Sequence, residues 1–94
     1  MSKIVQEELD IGRVRLGLRR TPGRGNPVVM LHGIMDSAIS WDAFARSISR
    51  PTIAFDLPGF GLTGPSPDGV YSIESYVDTV LALADSLGVQ RFVL

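Results

Sequence analysis

The residues best suited to chemistry stand where an apolar run stops: Val28-Val29-Met30-Leu31 gives way to His32-Gly33-Ile34-Met35-Asp36-Ser37. A glycine-containing turn at the carboxyl end of a buried strand leaves backbone N–H groups free to point at a substrate, and in open α/β sheets ligands gather there. His32 is the single histidine of the chain. Paired only with Asp36 across a turn, it falls short of a zinc ligand set, so no metal is expected. Nine serines are present, yet none lies in Gly-x-Ser-x-Gly, the elbow that presents a nucleophilic hydroxyl between strand and helix. The nearest approach, Gly64-Pro65-Ser66-Pro67-Asp68-Gly69, has the wrong spacing, and its prolines favour a loop. Gly59-Phe60-Gly61-Leu62-Thr63-Gly64 fits Gly-x-Gly-x-x-Gly, the pattern of a dinucleotide-binding turn. That turn must open directly into a helix, and here Pro65, Pro67 and Gly69 intervene, so a tight loop is expected and no cofactor.

Several elements must position these residues. Four apolar residues bounded by Gly25-Asn26-Pro27 and Gly33 read as a strand buried on both faces, and Thr52-Ile53-Ala54-Phe55-Asp56 reads as a second. Upstream, Lys3 to Ile11 and Arg13 to Arg19 read as two strands turning at Asp10-Ile11-Gly12. Val14, Leu16 and Leu18 alternate with Arg13, Arg15 and Gly17, so one face is apolar. The arginines fall on the wet side of an edge hairpin, with Glu7, Glu8 and Asp10 nearby to offset them. Thr21 to Pro27 is a loop by composition.

Trp41, Phe44, Ala45 and Ile48 fall at helical spacing, with Ser37 or Ser40 available as N-cap, Asp42 in the first turn and a stop at Arg50-Pro51. A longer helix is predicted over Ile73 to Leu87 from the repeat of Ile73, Tyr76, Val77, Val80, Leu81, Ala84 and Leu87, capped by Ser72 and stopped by Gly88. Glu74, Asp78 and Asp85 form its solvated side. Trp41, Phe55 and Phe60 read as core or loop-anchoring aromatics, and Arg91 to Leu94 begins another strand.

In order and spacing, His32-Gly33-Ile34, Asp36-Ser37, Ser40-Trp41 and Asp56-Leu57-Pro58-Gly59-Phe60-Gly61 resemble the α/β-hydrolase family over Pro27 to Leu94. The resemblance implies the N-terminal portion of an α/β-hydrolase fold: an antiparallel N-terminal hairpin leading into a parallel sheet with helices on both faces. Residues 1–94 are then the incomplete N-terminal part of a single domain. It further implies that the backbone N–H of Ile34 is one donor of an oxyanion hole, with Gly33 and His32 supporting the turn. His32 is then a brace and not the catalytic base, which in the family lies far downstream. Met35, one step past the donor, could line a substrate pocket or simply pack. In the family the nucleophile elbow follows the strand that begins here at Phe92, so nucleophile, acid and base are expected beyond Leu94 and the 94 residues alone are expected to be inactive. Epoxide hydrolases of the family carry proline where Met35 stands, and haloalkane dehalogenases usually an Asn-Pro or Glu-Pro pair. A serine-type hydrolase of ester or carbon–carbon bonds is therefore favoured over both.

Composition narrows the alternatives. A formal net charge of −1, from nine basic and ten acidic residues, gives no electrostatic reason for nucleic acid or an anionic membrane as partner. With no cysteine there is no thiol chemistry and no disulfide. The first residues turn acidic where a signal peptide would be apolar, and a cytoplasmic location is expected. The partner expected of the full-length protein is a small-molecule substrate. Two other readings compete: a non-catalytic interaction module, self-associating or joining a complementary chain through an exposed sheet edge, and a dinucleotide-binding domain using Gly59, Gly61 and Gly64.

Overall fold

The computed structural model describes residues 3–12, 14–32, 37–61, 63, 65, 69 and 71–94. Four strands, β1 (Val5–Asp10), β2 (Arg15–Thr21), β3 (Val28–Leu31) and β4 (Thr52–Phe55), form one sheet in the order β1-β2-β4-β3. β1 and β2 are an antiparallel hairpin, β2 pairs antiparallel with β4, and β3 runs parallel to β4. Leu31 and Phe55 lie side by side, so both parallel strands end at the same edge of the sheet. At the other side of β3, Val93 forms an isolated parallel bridge to Val28. The Val29 N–H donates to the Val93 carbonyl at 2.7 Å and the Val93 N–H to that of Pro27 at 2.9 Å, so the strand expected from Arg91 is reduced, among the described residues, to this single bridge beside β3.

The alternation of strand side chains divides the core in two. Leu16, Leu18, Val29, Ile53 and Phe55 meet Val80 and Leu83 of α2 (Ile73–Leu87) on one face. On the other face Met30 and Ala54 meet Ala38 and Ala45, the latter on α1 (Asp42–Ser47). The two helices therefore cover opposite faces. α2 begins and ends where its cap signals stand: Ser72 and Ser75 exchange hydrogen bonds as a capping box, and Gly88 closes the helix at φ 69°.

Three expectations need correction. The helix after the His-Gly turn is a single 3-10 turn, Ala38–Trp41, followed by the short α1, and Ile48 is already extended. Ser37 occupies the N-cap position, yet its side chain makes no capping bond there. β2 is interior to the sheet and runs on to Thr21, where paired Thr21 and Thr52 hydroxyls lie 2.6 Å apart. Its arginine side is not simply wet. Arg19 makes a bidentate pair with Asp42 of α1, Nε to Oδ1 at 2.7 Å and Nη2 to Oδ2 at 2.6 Å, while Arg20 reaches Glu7 at 2.9 Å in the expected offset. The hydrogen bond to Asp42 raises the Arg19 pKa above its ordinary value, against desolvation, and the charges of Asp42 and Asp56 add to the rise.

The third correction concerns α2. Its buried stripe is Val80, Leu83 and Ala84, whereas Ile73, Val77 and Leu81 are exposed. They line an apolar groove of about 530 Å³ with Leu31, Phe60 and Leu94. A second groove, of about 410 Å³, lies across β3 between Met30, Trp41 and Phe44. The helix thus carries two apolar stripes, one spent on the sheet and one facing the groove. No helix among the described residues is long and apolar enough to cross a membrane.

Candidate functional site

The shared end of β3 and β4 is built around His32 and Asp56, the first residues beyond each strand. Both are buried, at 7% and 5% exposure. The backbone N–H of Leu57 donates to His32 Nε2 at 3.0 Å, and the Phe60 ring stands edge-on to the imidazole at 5.2 Å between centroids. A nitrogen that accepts from a buried N–H carries no proton of its own and has its lone pair engaged. In this arrangement the Nε2 lone pair is taken up by the Leu57 N–H.

One step back along the chain, the Asp56 carboxylate accepts the N–H of Ala38 at 2.7 Å. That N–H opens the 3-10 turn, so its cap comes from the β4 exit and not from the adjacent serine. The rest of Asp56 is held as firmly: its N–H donates to the Gly17 carbonyl at 2.9 Å, and its own carbonyl accepts from Thr63 Oγ1 at 2.6 Å. Thr63 Oγ1 in turn accepts the Gly17 N–H at 2.9 Å, which ties the loop back to β2. Gly61, at φ 51°, lies against this group, and a Cβ there would collide with the Asp56 carboxyl carbon and both its oxygens. Gly59, at φ 86°, would bring a Cβ to 3.0 Å from the Tyr71 ring.

Gly33, Ile34 and Met35, and with them Asp36, lie outside the described residues, as does Gly64. What is described are the two flanks of the His-Gly turn, His32 and Ala38, both bonded to the segment Asp56-Leu57. Gly61 makes room for a carboxylate, and among the described residues the next helix begins at Ile73. The sequence displayed Asp56 and Thr63 but not their roles, because the partners are distant in the chain; the signal was a buried-strand aspartate with a glycine and a threonine just beyond it. Trp41 shares the second face, its Nε1 buried without a hydrogen-bond partner among the described residues.

The profile of the alpha/beta hydrolase fold matches residues 26–94. Among curated proteins, a 2-hydroxy-6-oxo-2,4-heptadienoate hydrolase of Pseudomonas putida is 36% identical over 75 residues, covering 73% of this chain and 27% of its own length. An esterase of Mycobacterium tuberculosis is 32% identical over 74 residues, covering 76% of this chain and 25% of its own. Among solved structures, E-2-(acetamidomethylene)succinate hydrolase superimposes with a TM-score of 0.85 at 27% identity, over 96% of this chain and 34% of that one. The chain thus spans about a quarter to a third of the proteins it matches.

Proposed function

The chain belongs to the α/β-hydrolase family, and from that premise we propose that it supplies the oxyanion-hole side of a serine-type hydrolase acting on ester or carbon–carbon bonds of small organic substrates. The observation that carries this reading is the double attachment of the His-Gly turn, through His32 and Ala38, to the end of β4. A turn fixed at both flanks can hold a backbone N–H still while charge develops on a carbonyl oxygen, which is what electrostatic stabilisation of a tetrahedral intermediate requires. In this reading the donor is the N–H of Ile34, Gly33 and His32 support the turn, and Met35 is the substrate-binding residue. Nucleophile, acid and base come in this reading from sequence beyond Leu94. Substrate chemistry is supported by the relatives, one named a hydrolase of a 2-hydroxy-6-oxo-dienoate and another an esterase.

The test uses the intact protein with p-nitrophenyl acetate and a 2-hydroxy-6-oxo-dienoate. Hydrolysis of either, stopped by a serine-directed phosphonate, is expected. Ile34→Pro removes the donor N–H and should lower kcat by about 10²- to 10³-fold, while Ile34→Ala keeps it and should change kcat little. Equal effects of the two substitutions would defeat the assignment. A second reading, an interaction module that completes its sheet with a complementary chain, draws on the apolar grooves beside β3. Native mass of the protein from its source separates the two: a stable hetero-complex without esterase activity favours the module.

A further inference from the structure

We propose that Asp56 is a positioning residue for the reaction, acting with the Leu57 N–H as a two-point clamp on the segment between His32 and Ala38. The proposal rests on the reading of residues 33–36 as the oxyanion turn. Its basis is geometric. Leu57 N–H holds His32, the last residue before the segment, at 3.0 Å, and the Asp56 carboxylate holds Ala38 N–H at 2.7 Å just after it.

These two anchors are consecutive residues on one rigid support. Asp56 is tied to β2 through Gly17 and Thr63, and Leu57 is itself buried in the α2-side core. The two flanks, His32 and Ala38, are therefore both held at one strand end. A carboxylate suits the outer anchor because a charged acceptor binds an N–H roughly twice as strongly as a neutral one. Gly61 is the cost of putting it there: only a residue without Cβ leaves room for the carboxylate in that place. Asp56 touches no substrate in this scheme and moves no proton; its effect reaches the reaction through the turn.

Amide exchange read by NMR on the intact protein tests the clamp directly. In Asp56→Ala the amides of Ala38 and of residues 33–36 should exchange about tenfold to a hundredfold faster, the range expected for losing a hydrogen bond to a charged group, with the amides of α2 unchanged. Asp56→Asn keeps an oxygen acceptor and should restore most of the protection. Unchanged exchange at 33–36 in Asp56→Ala overturns the proposal. Should that variant fail to fold, Asp56→Asn and the unmutated protein carry the test: a through-hydrogen-bond coupling between Ala38 nitrogen and the Asp56 carboxyl carbon is expected, and its absence is equally fatal. Turnover separates this idea from the one beneath it. A kcat reduced about tenfold or more at constant KM, rescued by Asp56→Asn, supports clamp and oxyanion turn together. A loosened turn with undiminished kcat overturns the part of Asp56 in the reaction, while Ile34→Pro against Ile34→Ala decides the oxyanion assignment by itself.

Discussion

Gly61 and the Asp56 carboxylate contend for one small volume, and Gly61→Ala forces the contest. A Cβ at φ 51° meets both the left-handed backbone penalty and the carboxylate, so a loss of about 2–4 kcal/mol is expected from urea unfolding. Arg19→Met should cost about 1–2 kcal/mol, because the pair with Asp42 is bidentate and mostly shielded, side-chain exposures being 19% and 17%. Its pH dependence has a definite sign. A cation whose folded pKa is raised contributes fully below its unfolded pKa and loses that contribution only as pH rises through the folded one. For arginine that window lies in strong alkali, so the difference between Arg19→Met and the unmutated protein should be the same at about pH 7 and about pH 10. Neither the bond of Asp56 to Ala38 nor the pairing of Arg19 with Asp42 was legible in the sequence. Asp56 meets Ala38 across 18 positions and Arg19 meets Asp42 across 23, and no local pattern reports such a meeting.

What was legible at the scale of elements was whatever local chemistry decides. α2 shows its bounds in Ser72 and Gly88, and both bounds hold because a cap needs only its own neighbours. Ser72→Ala should lower stability by about 1 kcal/mol, seen as a lower thermal midpoint by circular dichroism. Which apolar stripe of α2 meets the sheet was not legible, since Ile73, Val77 and Leu81 repeat as regularly as Val80, Leu83 and Ala84. The place of β2 within the sheet was hidden for a similar reason: alternation tells which side chains share a face, not which strand lies alongside. The mixed sheet and the helices on opposite faces followed from the resemblance, and the division of the core into two clusters bears them out.

For the whole molecule the decisive feature is the far side of β3, where two apolar grooves flank Leu94, itself 71% exposed. Leu81→Lys reads what covers the larger groove in the intact protein. Burial there predicts a loss of about 1.5–3 kcal/mol and a lower melting temperature, whereas an unchanged midpoint would leave the groove facing water. Val93 also gives the chain a heading. Lying beside Val28 and parallel to β3, it aims whatever is joined to Leu94 at the end of the sheet where His32 stands. At one residue of strand for each residue of its neighbour, about three positions past Leu94 draw level with His32. On the reading proposed above, a strand continued in this register would reach His32 by pairing alone, with no loop left to search for it.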